Sequence, residues 1–498
     1  MDTRNGGLIL TDLIAKLIDE IGPGHMASTA YDTAWAARLG AIDAGISNRA
    51  LTWLTRNQLP DGSWGAPTPF YYHDRVISTL AAMIALSYRG QRQADRTQIE
   101  YGKLALERIM SGATGGLSTD PNGATVGFEM IAPTLVREAE RLGLIKSQGG
   151  RMLGRISALR NKKLAYLRDH MINRNVTLAF SAEMAGVDGK HMLDVETLQE
   201  QNGSVGVSPS ATAYFAAYIK QGDEAALNYL RNIMNPEGGF PNVAPFDVFE
   251  IAWTLWNLSF IPDVRKNEKL KPHLDFLSNA WIPGRGVGFA AEYSVKDSDD
   301  TGLVYDTLMR FGVEKDIASV LLYEEKDHFR CFDLEANPSI SANIHVLGAL
   351  GQAGLDQRNS SFNKIVKYLQ KARGANPFWA DKWHTSVYYA TAHAVIACAG
   401  LANELVEDSV EWMLKTQNSD GSWGTFIKTA EETSYAIQAL WVWNEKVARI
   451  PKSVLRRGAQ WLTENLDKPY PPLWIGKCLY SPRLVVRSAV ISALALAS

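Results

Sequence analysis

Cysteine is scarce in this chain: three in 498 residues, at positions 331, 398 and 478, with no C-x-x-C pair. That spacing argues against a zinc cage or a disulfide framework and fits a reducing cytoplasm. An excess of charge of one sign is also lacking. Lys plus Arg number 51 and Asp plus Glu 53, a formal net charge of −2, so no basic field points to nucleic acid. No apolar run reaches the roughly 18 residues needed to span a bilayer, which leaves membrane contact at most peripheral. No secretory signal is expected, because Leu8-Ile9-Leu10 is short and is followed by Asp12, Lys16 and Asp19. Alternating strand patterns are few as well, which argues against a mainly β architecture.

What the chain does have is aromatic mass and helical periodicity. It carries 14 Trp, 18 Tyr and 16 Phe, enough for large apolar packing or pocket surfaces. Segments 78–86, 211–219, 248–258, 390–401 and 432–443 place apolar residues at three- and four-residue spacing, and Gly and Pro fall mainly between them. The reading is all-α, in two or three domains. The chain also repeats itself. Trp53…Gln58…Asp61-Gly62-Ser63-Trp64-Gly65 matches Trp412…Gln417…Asp420-Gly421-Ser422-Trp423-Gly424, and residues 199–206 form a degraded third copy without the Trp. The physical reading is a helix ending at the Gln, a tight Asp-Gly turn and a Trp packed back over it. A structural repeat of this kind implies two related α/α barrels of stacked helix pairs.

Three carboxyl groups sit within four residues at Asp297-Ser298-Asp299-Asp300, followed by Thr301 and flanked by Phe289, Tyr293, Leu303 and Tyr305. Carboxylates in an apolar setting must be hydrogen-bonded, metal-bound or partly protonated. A carboxyl that keeps its proton at neutral pH can serve as a catalytic acid. The bland alternative is a helix cap with surface acids.

Repeat and tetrad together resemble the QW and DxDD(T) motifs of class II terpene cyclases. Within them the chain looks most like diterpene cyclases of the copalyl diphosphate synthase type, especially compact bacterial forms that make halimane or clerodane diphosphates. Ser28-Thr29-Ala30-Tyr31-Asp32-Thr33-Ala34-Trp35 resembles the family's SAYDTAW opening. His73-Asp74-Arg75, Val126-Gly127-Phe128-Glu129, Ser208-Pro209-Ser210 and Pro241-Asn242-Val243 match in the family's order. The resemblance implies a γ domain at about 45–225 inserted into a β domain made of 1–44 and 226–498, with the active site between them. Neither DDxxD nor the NSE-type metal motif of class I enzymes is found, so the product should keep its diphosphate.

By the same resemblance Asp299 is the proton donor, oriented by Asp297 and Asp300. His345 stands where plant relatives carry an Asn that bonds the acid, with Asn343 as the fallback and a satisfied core histidine as the plain alternative. Asn242 matches an Asn that helps a His hold the water acting as terminal base, but the His position falls at Phe180. A Phe accepts no proton and offers only a π face to a cation. A carbocation that meets no base lives longer, so this departure favours a rearranged skeleton; an ordinary core Phe is the competing reading. Phe289, Trp253, Trp379, Trp383 and Tyr480 are candidate cation-stabilising walls, against a plain core role for each Trp. Lys382, and Lys163 from the γ domain, are candidate diphosphate partners, against ordinary solvated lysines. Magnesium is expected as cofactor, with no ligands assigned: the acidic γ-domain motif is poorly kept at 117–123.

The expected activity is protonation-initiated cyclisation of geranylgeranyl diphosphate to a rearranged bicyclic diphosphate, of clerodane (kolavenyl) or halimane (tuberculosinyl) type. Unrearranged copalyl diphosphate is the alternative. A downstream class I diterpene synthase or a phosphatase would consume the product. Outside this chemistry stand an α/α-barrel protein prenyltransferase subunit, a glycosidase using Asp297 and Asp300, and a non-catalytic repeat module.

Overall fold

The computed structural model describes residues 3–24, 26–89, 92–112, 124–146, 149–167 and 171–498. The acidic stretch at 117–123 lies outside the described residues. Helices form nearly all of the architecture, with two pairs of two-residue strands as clasps. Among the described residues, no helix is long and apolar enough to cross a membrane.

Six helices close the larger ring: Asp247–Leu258, Ser298–Arg310, Ile340–Gln352, Val387–Cys398, Ala430–Lys446 and Arg483–Leu496. Each packs on the next and the last returns to the first, while Lys271–Ala280, Ser360–Arg373, Glu407–Lys415 and Lys452–Glu464 lie outside. Most of these inner helices are buried on every side, which is why their sequences are apolar almost all round. A smaller ring closes through Ala30–Ala37, Tyr72–Arg89, Phe128–Arg141, the 3₁₀ segment Thr177–Ala185 and Pro209–Tyr214.

The two apolar cores divide the chain differently from the expected 1–44, 45–225 and 226–498. One holds Leu17 to Ile21 together with Val248 to Ala493. The other holds Ala30 to Phe240, plus Cys478. The Ala30–Ala37 helix therefore belongs to the inserted domain, because it is an inner member of the smaller ring and buried throughout. The Glu224–Ile233 helix sides with it. The chain crosses at an antiparallel clasp, Ser28–Thr29 against Phe240–Pro241.

The repeat is structural in detail. Trp64 and Trp423 are fully buried, and each indole N–H donates to the carbonyl ten residues upstream, Leu54 at 2.9 Å and Met413 at 2.8 Å. Gln58 and Gln417 bridge their own turn, to Gly62 and Gly421, and the following helix, to Gln98 and Val454. Gln199 does the same with Gly203 and Asp223, so residues 199–206 are a true third copy. A second device runs through both rings: a hydroxyl on an inner helix accepts the N–H of an apolar residue in the preceding loop. Thr79 does so for Trp64, Thr212 for Val205, Thr301 for Val287, Thr391 for Trp379 and Thr433 for Trp423, all at 2.9–3.0 Å. Trp379 completes the pattern by donating to Leu369. It is a disguised copy of the repeat, not a cavity wall, which corrects that expectation.

Candidate active site

Asp297 caps the Ser298–Arg310 helix, its carboxylate accepting the Asp300 N–H at 2.8 Å. This places Asp299 and Asp300 in the first turn, where backbone N–H groups and the positive end of the helix favour acids. Asp297 and Asp300 are buried, while the Asp299 side chain keeps 22% of its surface. Burial pushes Asp297 up to about 7, with the charge of Asp299 adding to the rise and the Asp300 N–H opposing it. Burial, then the charges of Asp297 and Asp299, drive Asp300 well above the carboxylate range. The cluster thus holds protons at neutral pH, as like charges in a desolvated site must.

His345 projects from the neighbouring Ile340–Gln352 helix and its Nδ1 lies 2.5 Å from Asp299 Oδ1. Gly302 permits this approach: a Cβ there would stand 3.1 Å from the backbone of His345 and Val346. Asn343 does not compete. Its amide is committed to the backbone of Phe329 and Ser339, filling the role that Thr plays on other inner helices. Trp253 packs edge-on against His345 at 5.1 Å and lies tilted against His393 at 5.0 Å. It stands behind the histidine and is absent from the cavity lining, a second correction to the expected walls.

The cavity measures about 370 Å³ and lies between the two domains. Asp297, Asp299 and Asp300 open onto it, as do Phe180, Phe289, Trp383, Tyr480 and Asn242. Phe246, Phe249, Tyr293, Phe332 and Trp474 extend the aromatic wall; of these the sequence drew attention only to Tyr293, as a flank of the tetrad, and the others look there like ordinary core residues. Lys382 and Lys163 reach the same cavity from opposite domains. Lys382 is ion-paired with Glu335 and donates to the Asn337 carbonyl, and Lys163 is ion-paired with Glu129.

Asn242 is buried and donates to Asp32 at 3.0 Å. Asp32 is raised above its ordinary range by burial, against the opposing charge of Lys477. Lys477, carried on the hairpin between Trp474–Ile475 and Leu479–Tyr480, is fully buried and donates to Glu183, Ser208 and Ser210, each at 2.7 Å. Its ammonium lies 4.5 Å from the centroid of Phe180. Sequence reasoning missed Lys477, Glu183 and His393. The serines and Asp32 stood inside the quoted motifs, but nothing in the spacing tied them to a lysine from the C-terminal hairpin.

A family model described as the squalene-hopene cyclase C-terminal domain matches residues 327–469. A "type B diterpene cyclase" of Mycobacterium tuberculosis is 46% identical over 97% of this chain and 98% of its own. An ent-copalyl diphosphate synthase of a Streptomyces species is 29% identical over 89% of this chain and 87% of its own. The solved ent-copalyl diphosphate synthase of Streptomyces platensis superposes with a TM-score of 0.78 at 28% identity, covering 99% of both chains. Identity of that extent to a diterpene cyclase, along a chain whose acidic tetrad faces an aromatic cavity, establishes that this protein belongs to the class II diterpene cyclases.

Proposed function

We propose that the substrate is geranylgeranyl diphosphate and that Asp299 is the acid. The observation that carries the reading is Asp299 itself: partly exposed to an aromatic-walled cavity, hydrogen-bonded to His345 and flanked by buried carboxyls that hold protons. Its proton adds to the terminal alkene carbon, leaving a tertiary cation. Two internal alkenes attack in turn, forming two carbon–carbon bonds and a bicyclic cation, and one proton is finally lost. Aromatic faces stabilise the travelling charge and exclude water that would quench it. The diphosphate is not cleaved; Lys382 and Lys163 would exchange their present carboxylate partners for it.

Magnesium is proposed only as a companion of the diphosphate. Among the described residues, no three His, Cys, Asp or Glu side chains converge as a cage. Glu129 and Glu335 are the wall carboxylates near the two lysines, and one or two carboxylates plus substrate phosphates are the usual magnesium donors. No step depends on the ion.

A rearranged clerodane or halimane skeleton is favoured over copalyl diphosphate. Phe180 cannot take a proton, and the charged partner nearest its ring is an ammonium that cannot take one either. The bicyclic cation then persists while hydride and methyl groups shift. A class I synthase or a phosphatase would act on the product. Incubation with geranylgeranyl diphosphate and magnesium, phosphatase treatment, and mass spectrometry with NMR test both levels. Recovery of linear geranylgeraniol alone rejects the substrate assignment. An unrearranged labdane rejects only the product assignment.

A further inference from the structure

Each turnover consumes the proton of Asp299 and releases another at the far end of the cation cascade. The acid must therefore be recharged, and the front cavity is poorly suited to it. Its walls are aromatic, and at that moment it holds the bicyclic hydrocarbon part of the product.

A second cavity, of about 400 Å³, lies behind the acid. The inner helices begin on the active-site face, where Asp297, Ser339, Ser386 and Thr429 cap them. The rear cavity is lined instead from their last turns, by Asp306, Arg310, Gln352 and Lys446, with His345 and His393 between the two spaces. It is polar and roomy enough for several waters. The carbonyl ends of the helices also give that face a negative bias, which favours an incoming proton.

The two histidines connect the spaces. Asp299 Oδ1 meets His345 Nδ1 at 2.5 Å, and His345 Nε2 meets His393 Nδ1 at 3.4 Å. His393 Nε2 is buried and has no protein partner, although the ring lines the rear cavity. Burial, aided by His345 and His384, keeps this imidazole well below its ordinary range. A neutral ring has one donor and one acceptor nitrogen, the requirement for passing a proton on rather than storing it.

We infer that water in the rear cavity re-protonates Asp299 through His393 and His345, resting on the acid assignment above. His345 gives its Nδ1 proton to the Asp299 carboxylate and takes one at Nε2 from His393 Nδ1. His393 takes one at Nε2 from water, and the net change is one proton moved from solvent to Asp299. Rotation of the carboxyl then turns the proton toward the front cavity. Each ring ends as the opposite tautomer, because its Nδ1 has given a proton and its Nε2 has taken one. A turn of the ring about its Cβ–Cγ bond frees Nδ1 from its partner, so that water takes the Nε2 proton and returns one at Nδ1, restoring the starting state.

Rapid-quench kinetics with geranylgeranyl diphosphate test this, using His393→Phe and Gly348→Leu. The second variant occupies the rear cavity from a position outside the relay: a Cβ at Gly348 meets its nearest neighbours, Asp306 and Ala397, at 3.6 and 4.0 Å, ordinary contacts. In both variants the first equivalent of product should form at the wild-type rate. Later turnovers should slow at least tenfold, with kcat reduced, kcat/KM kept, and a larger solvent deuterium effect on kcat. Equal loss of the first and later turnovers, or an unchanged kcat in both variants, overturns the relay. A wild-type enzyme that cyclises nothing rejects the proposed function instead.

Discussion

Around the acid, single residues respond to pH in a defined direction. Asp297, pushed up to about 7 mainly by burial, holds its proton at pH 5 and loses most of it by pH 8. An ionised Asp297 places a negative charge beside Asp299 and weakens it as an acid, so kcat should fall as pH rises through about 7. In Asp297→Asn that limb should move to higher pH in a pH–rate profile. Stability follows the same sign. A carboxyl whose folded value lies above its unfolded value of about 4 is favourable below that pH and loses the benefit as pH climbs toward 7. Asn retains the cap, so the variant should melt a few degrees higher than wild type at pH 8 and alike at pH 4. Asp299→Asn removes the proton itself and should reduce product formation at least a thousandfold; a near-wild-type rate would remove Asp299 from its role. The tetrad was legible because its carboxyls are neighbours in sequence. His393 was not: it joins the site through a helix almost a hundred residues away, and a histidine on an apolar face carries no signal of its own.

Among the elements, the Gln-to-Trp repeat shows how far a local pattern can be read. Its turn and its buried indole were implied by Asp-Gly followed by Trp, whereas the bridge from the Gln to the next helix was not. Trp379 escaped because the turn between the preceding helix and the Trp is shorter and lacks Asp-Gly, while the indole-to-carbonyl bond and the threonine contact are kept. Only the inner helix supplies that threonine, so the relation appears in space and not in a window of sequence. Trp423→Ala should destabilise the larger ring by about 3–5 kcal/mol, the usual cost of emptying a buried Trp site, read as the shift in a urea unfolding midpoint. Gly302→Ala acts at a helix–helix contact. A methyl 3.1 Å from the His345 backbone must separate the helices slightly, which should lower kcat more than it raises KM.

Over the whole molecule, the all-α class and the two related rings followed from the helical periodicity and the repeat, while the insertion of one into the other was implied only by the family resemblance. The crossing points did not. The Ala30–Ala37 helix reads as apolar whichever domain claims it, and only closure of the smaller ring assigns it. The product assignment also belongs at this scale, because the two residues that bear on it come from different domains. Phe180→His should turn part of the product toward an unrearranged labdane, measured by product NMR; an unchanged profile would count against the role of Phe180. Lys477→Met leaves Glu183 buried beside Tyr31 and Ser210 with no cation. That should cost about 3–5 kcal/mol, read as a lower melting temperature.

The hairpin that carries Lys477 is tied to the larger ring by sequence and to the smaller one by contact. Its Gly476 carbonyl accepts the Val126 N–H, its Leu479 N–H donates to Asp74, and Cys478 lies in the smaller ring's core. The same few residues supply Trp474, Ile475 and Tyr480 to the cavity. A chimera that exchanged the inserted domain between relatives at its sequence borders would leave this loop behind, facing a foreign partner. Modular transplantation in this family therefore has to move two stretches of chain together, the insert and a heptapeptide about 230 residues beyond its end.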